Sequence, residues 1–279
     1  MEYSKDHQII LHCALPVEAK LFVELFDLDR VPPQGPFTSF SKGNLSLICS
    51  GLGKIHTAAA LASVLSTQRS TNLFLINLGF SAAPPEFMLG TAVLMHKITD
   101  QLTERSYFPD MSIRHSFNEA SLITVDQPAC TPPDNSSLVD MEASAFCEVA
   151  NMYVPSSRFA VLKLVSDHFS DNRLQKKSIR EFVVQCKKPL EEYLKNVHSF
   201  ISSLPHKTES VDAEYLHSIY SQLRLSVTQK IELEREIKAF KIRNGEPPSL
   251  TPFLVSTNSK HQQNQIHARL IQVLREDCA

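Results

Sequence analysis

The sequence predicts an α/β domain followed by a helical extension, and three observations carry that expectation. Short apolar runs recur between residues 8 and 166, and most are continuous rather than alternating. A continuous run suits a strand covered on both faces, as in an α/β sheet. Helix-like segments separate the runs. Six of the seven glycines fall before residue 91, so the tight turns belong to the first part of the chain.

The elements follow in order. "QIILHCAL" (8–15) reads as a strand. "PVEAKLFVELFDL" (16–28) reads as a helix, with Pro16 suited to its first turn. "NLSLICS" (44–50) is a second strand, and the Ala- and Leu-rich "GKIHTAAALASVLST" (53–67) a second helix. "NLFLINLGF" (72–80), "TAVLMH" (91–96) and "ASLITV" (120–125) are further strands. A helix from Met141 to about Asn151 precedes the strand "FAVLKLVS" (159–166). The long helical stretch 178–204 contains Pro189, which should kink or restart it.

"PHKTES" (205–210) reads as a linker, so the domains are placed at 1–204 and 205–279. Beyond it Leu216, Tyr220, Leu223, Val227, Ile231 and Ile237 mark an apolar stripe on one helix. "NGEPPSLTP" (244–252) stops that helix, and Ile266, Leu270, Val273 and Leu274 mark a shorter one. A helical hairpin is expected.

Composition narrows the function classes. A chain of 279 residues is long enough for one α/β domain with an appendage. With 43% hydrophobic and 21% charged residues it reads as a soluble globular protein. The net charge of −2 supplies no whole-chain field for nucleic acid or an anionic membrane. Cys13, Cys49, Cys130, Cys147, Cys186 and Cys278 form no CxxC pair, and four lie in apolar runs. Reduced core thiols are expected, not a disulfide frame or a zinc site. His12, His56, His96 and His168 lack ligand-like spacing, so no metal and no cofactor are expected. No basic-plus-apolar leader or membrane-length apolar run is present, and the expected setting is cytoplasmic.

Four stretches carry the candidate chemistry. "ALPVEAKLF" places Glu18 just after the first strand, and "CSGLGKIHTAAAL" is a strand, a Gly-x-Gly turn and a helix. "VDMEASAF" places Glu142 at a helix start, and "LKLVSDHFSD" places Ser166 and Asp167 at a strand end. Ligands of open α/β sheets sit beyond the C-terminal strand ends, so these distant carboxylates can meet in one cleft. Each also has a plain structural use. Glu18 and Glu142 suit the first turn of a helix, and Asp167 suits a turn or an N-cap. Asp140 reads as a helix cap or a solvent-facing acid.

At these residues the chain resembles the nucleoside phosphorylase/nucleosidase superfamily, most closely its methylthioadenosine/S-adenosylhomocysteine nucleosidase branch. The resemblance covers roughly residues 8–204. "INLGFSAA" is similar to that family's strand and Gly-rich turn under the ribose, "VDMEASAF" to its Val-Glu-Met-Glu helix, and "LVSDHFSD" to its Ser-Asp strand end.

The resemblance implies a mixed central sheet sandwiched by helices. It implies Asp167 as the acid that protonates N7 of a purine, and Glu18 as the group that orients and deprotonates water. Met141 and Glu142 would hold the ribose, with Ser166 beside the acid and Gly79 and Phe80 in the turn under the sugar. Lys163 falls where the nucleosidases often carry an Arg near the water. A nucleoside substrate and a homodimer are also implied.

The residue types fit the reaction. Cleaving C1′–N9 leaves oxocarbenium character on the ribose and negative charge on the base. A positioned acid gives typically ~10²–10⁴-fold. An Asp ionises near pH ~3.9 in water, so the cleft has to raise it. A carboxylate on the ribose diol supplies orientation and electrostatic stabilisation.

Departures bear on substrate. The segment between "TAVLMH" and "VDMEASAF" is shorter than in typical nucleosidases, and it normally supplies the base pocket. "VDQPAC" puts Pro128 in place of a stacking aromatic, and Phe80 stands where the family has a Ser. The Gly-Asp-Pro and Arg phosphate clamps of phosphorylases are missing. The expected function is therefore hydrolysis of the N-glycosidic bond of a purine or modified nucleoside. The alternative is a catalytically weak or inactive nucleoside-binding or scaffold protein with a partner-binding helical tail.

Overall fold

Parallel strands of nearly continuous apolar sequence form the centre of the first unit. A computed structural model of the chain describes residues 7–68, 72–129, 131–134, 136–169, 176–204, 213–244, 246, 248–250 and 259–276. The expected linker at 205–210, and Cys130 and Cys278, lie outside the described residues. The chain divides into two compact units, Met1–Leu204 and Pro205–Ala279.

The first unit runs β1 (His7–Cys13), α1 (Pro16–Phe26), β2 (Asp29–Gln34), β3 (Phe37–Lys42), β4 (Leu45–Cys49), α2 (Lys54–Thr67), β5 (Asn72–Ala82) and β6 (Ala92–Asp100). It continues with β7 (Ser106–Tyr107), β8 (Asn118–Thr124), β9 (Leu138–Asp140), α3 (Ala143–Tyr153), a short 3₁₀ turn, β10 (Phe159–Asp167) and α4 (Lys176–Ser203).

All the strands join one mixed sheet. β2, β3, β4, β1 and β5 lie side by side, and β5 then pairs with both β10 and β9. Because β10–β6–β8–β9 is a continuous path, those strands and β5 close on themselves. β1 is parallel to β4 and β5, and β10 is parallel to β5. Their C-terminal ends therefore share one edge.

Side-chain alternation sorts the core into two layers. Ile10 and Leu75 point to the layer with Leu61 of α2 and Phe146 of α3. Ile9, Leu11, Phe74 and Ile76 point to the layer with Phe22 of α1 and Leu190 of α4. Helices cover both faces, as continuous apolar strands require.

Three local features differ from expectation. The β2–β3 hairpin has no apolar run, because Val31 is followed by Pro32 and Pro33. Those prolines fit where the pairing is irregular, between Val31 and Gln34, on the outermost strand. β9 is only three residues long. α4 continues through Pro189 rather than restarting. Cys186, Leu190, Tyr193, Val197 and Ile201 form one buried stripe across that proline. Burying each large side chain contributes about 1.5–3 kcal/mol, together enough to exceed the roughly 3 kcal/mol that an interior proline costs.

The second unit contains α5 (Ala213–Gln222), α6 (Val227–Asn244) and α7 (Lys260–Glu276). Its own core joins Ile219 and Leu223 to Leu233, Ile237, Leu270 and Leu274. The stripe expected on one helix is split between α5 and α6. Ser226 and Gln229 exchange backbone N–H donors at 3.0 and 3.2 Å, a capping box that starts α6 afresh. The break turns Val227 and Ile231 outward, at 75% and 64% exposure. No helix of the described residues is long and apolar enough to cross a membrane.

Candidate active site

A cleft of about 590 Å³ opens where β1, β5, β9 and β10 end. Glu18, Asp140, Glu142 and Asp167 all line it, from three strand exits: Glu18 follows β1, Asp140 and Glu142 leave β9, and Asp167 ends β10. Among its described lining residues there is no Lys, Arg or His.

Glu18 occupies the third position of α1, after Pro16 opens the helix. Its Oε2 accepts the Leu15 N–H at 3.0 Å, and its Oε1 accepts the Phe80 N–H at 3.2 Å. Gly79 lets β5 pass close by: a Cβ there would sit 3.4 Å from Glu18 Oε2. Glu18 is 5% exposed. Burial pushes its pKa up to about 7, against the lowering effect of those N–H groups and of the Lys163 ammonium.

Glu142 sits at the N-terminal boundary of α3. Its Oε1 accepts the Gly53 N–H at 2.9 Å, and its Oε2 accepts the Met141 N–H at 3.3 Å. Gly53 has φ 92°, which glycine adopts without strain, and this conformation belongs to the turn that carries the N–H. Burial raises the Glu142 pKa first, and neighbouring Asp140 raises it further.

Asp140 has a fuller role than a cap or a solvent-facing acid. Its Oδ2 accepts the Ala143 N–H at 2.8 Å, so it does hold the first turn of α3. The same oxygen pairs with Lys163 Nζ at 2.8 Å, and Oδ1 accepts the Thr124 hydroxyl at 2.7 Å. Lys163 is 2% exposed and stands behind the cleft rather than in its lining. Its ammonium is held by Asp140. Burial works to lower the Lys163 pKa, but Asp140 and Glu142 overcome it and the net shift is upward. A lysine within "FAVLKLVS" is a readable signal, since a buried ammonium needs a partner acid.

Asp167 ends β10 half-buried. Its Oδ1 accepts the Phe169 N–H at 3.0 Å. The Ser166 hydroxyl lies 2.7 Å from Asp167 Oδ2 and 3.0 Å from the Ser81 carbonyl. One hydroxyl proton faces two acceptors, so Ser166 can turn between them. Ser81 is a lining residue the sequence does not single out. Its buried hydroxyl has no hydrogen-bond partner among the described residues. Met141 and Phe80 line the cleft, as do Val125, Pro128 and Ala129. Phe80 and Phe169 are the aromatics among the described lining residues. Phe169, at φ 58°, was not foreseen.

The Gly51–Gly53 turn is braced from below. Asn77 donates to His12 Nδ1 at 2.8 Å, and His12 Nε2 contacts Ser50 Oγ at 2.8 Å. Ser50 in turn donates to the Gly51 carbonyl at 2.7 Å. Burial, with help from Lys163, holds the His12 pKa down to about 3, so the ring is neutral and able to accept from Asn77. The described residues contain no group of three or more His, Cys, Asp or Glu side chains arranged for a metal ion.

No protein-family profile and no curated protein sequence matches the chain. Its fold matches solved nucleosidase structures. The apo 5′-methylthioadenosine nucleosidase of Arabidopsis thaliana aligns with TM-score 0.55 at 15% identity, covering 71% of this chain and 97% of that one. The Helicobacter pylori 5′-methylthioadenosine/S-adenosylhomocysteine nucleosidase, bound to butyl-thio-DADMe-Immucillin-A, aligns with TM-score 0.55 at 15% identity, covering 68% and 97%. The futalosine hydrolase of H. pylori aligns with TM-score 0.54 at 15% identity, covering 69% and 97%. The chain thus has the nucleoside phosphorylase/nucleosidase fold.

Proposed function

We propose that this cleft hydrolyses the N-glycosidic bond of a purine nucleoside or a modified derivative. The observation that carries this reading is the meeting of Glu18, Glu142 and Asp167 on one cleft at the C-terminal strand edge. In this mechanism Asp167 gives a proton to the departing base. When Asp167 carries that proton, Ser166 turns its own to the Ser81 carbonyl. Glu142 accepts the ribose hydroxyls, with Met141 packed beside them. Glu18, near pKa 7, takes a proton from the attacking water at neutral pH. Its two backbone N–H bonds fix its orientation.

Water is the acceptor in this reading, because phosphate would enter a cleft lined by carboxylates with no described cation. The same lining supports an uncharged nucleoside rather than a nucleotide. The reading carries no nucleic-acid or membrane partner and a homodimer, which sedimentation of the full chain tests. A cytoplasmic setting fits the free thiols of Cys13, Cys49, Cys147 and Cys186.

A second reading is a nucleoside-binding protein without turnover, its helical unit 205–279 serving a partner. The non-aromatic base wall of Val125, Pro128 and Ala129 favours it. Incubating the chain with a panel of nucleosides, with and without phosphate, and measuring free base by chromatography separates the two. Base release independent of phosphate supports the hydrolase. Binding without release supports the second reading.

A further inference from the structure

We propose that Lys163 is a positioning residue for both glutamates of the cleft: it stands across the sheet from the Gly79 position against which Glu18 packs, and its ion pair with Asp140 fixes the start of the helix that carries Glu142. The inference rests on the reading of Glu18 as the base. Lys163 lies in the middle of β10 between buried Leu162 and Leu164. In the sheet it stands directly opposite Gly79, the residue against which the Glu18 carboxylate packs. Its ammonium runs to Asp140, whose other bonds hold the Ala143 N–H and the Thr124 hydroxyl. The Thr124 hydroxyl also accepts the Ser144 N–H at 2.9 Å. One buried cation thus joins the strand that ends in Asp167 to the first turn of α3.

The charged and titratable groups around Glu18 are few. Lys163 faces it from β10, Glu142 from the start of α3, Cys13 from β1 and Cys49 from β4. Lys163 is the only cation in that set. Burial and Glu142 favour the protonated form of Glu18, and Lys163 opposes them together with the two N–H groups. With the ammonium gone, the balance moves toward the protonated form of Glu18, which cannot take a proton from water. Lys163 does this from behind the cleft, without touching the ligand.

The test is a titration of Glu18 in the full chain by carboxyl carbon NMR, assigned with Glu18→Gln. The double variant Lys163→Met/Asp140→Asn removes both buried charges, a change that folds tolerate better than removing one. Its Glu18 midpoint should rise by about one unit or more, the scale set by losing a nearby opposite charge. Lys163→Arg should restore the wild-type midpoint. The acid limb of the kcat/KM profile should move with the titration. If that variant fails to fold, Lys163→Gln/Asp140→Asn, which removes both charges but keeps a polar contact between the two side chains, is titrated in its place, and the same rise is expected. A Glu18 midpoint that stays put in a folded variant overturns the proposal. A shifted midpoint in a protein whose wild type never releases base leaves this proposal standing and removes the hydrolase.

Discussion

Gly53 donates its backbone N–H to Glu142 Oε1 at 2.9 Å, joining two residues 89 positions apart. The turn after β4 thereby holds the carboxylate that begins α3. At φ 92° Gly53 is in a conformation strained for any side chain, although a Cβ there would meet nothing within 4 Å. Gly53→Ala should therefore cost about 1–2 kcal/mol through backbone strain alone. Any relaxation of the turn moves the N–H off Glu142, so nucleoside affinity should fall more than thermal stability does. Calorimetric binding and melting on the same preparation check this.

Glu18 makes stability depend on pH with a definite sign. Its folded pKa is raised from 4.5 to about 7 by burial. Between those values the folded state holds a proton that the unfolded state has lost. Stability contributed by that proton is full below pH 4.5 and is lost as pH rises through 7. At about 1.36 kcal/mol per unit the loss is on the order of 3 kcal/mol. Glu18→Gln should flatten that slope in urea unfolding at a series of pH values. It should also remove the acid limb of the wild-type rate profile along with most of the rate.

Lys54 follows Gly53 and bridges Asp100 at 2.9 Å and Asp126 at 2.7 Å. Asp100 also accepts the Ser144 hydroxyl at 2.7 Å and is held well below the usual carboxylate range, its hydrogen bonds outweighing burial. Asp126 lies between Val125 and Pro128, which line the cleft. Lys54→Met should loosen that stretch, raising KM several-fold with kcat little changed. Loss of a hydrogen-bonded partner for Asp100 should cost about 1–3 kcal/mol. Steady-state kinetics and denaturant melts of this variant supply both numbers.

The helical unit has its own core, and Leu270 is fully buried in it. Leu270→Ala should destabilise that unit by about 2–5 kcal/mol. Base release should be unchanged, because every site residue belongs to the other unit. A parallel loss of activity would show that the two units are coupled.

Much of the fold is legible in the sequence because its central strands are covered on both faces and read as unbroken apolar runs. The β2–β3 hairpin is not, since Pro32 and Pro33 sit at an edge irregularity where no pattern survives. The split between α5 and α6 was signalled by Ser226-x-x-Gln229, but Val227 and Ile231 continued the apolar spacing and masked it. In the site, Glu18, Glu142 and Asp167 are legible from motif order. The partnership of Asp140 with Lys163 is a long-range ion pair, and no local pattern shows which acid a buried lysine will find. Ser81 and Phe169 are placed by backbone course rather than by residue type.

The measurement that bears most directly on the proposed chemistry is hydrolysis by Asp167→Asn. Asn keeps the size and the polar contacts to Ser166 and the Phe169 N–H, but it has no proton to transfer to the base. Turnover should fall by at least ~10²-fold, the typical cost of a lost general acid, while nucleoside affinity changes far less. An Asp167→Asn protein that releases base at the wild-type rate would contradict the account.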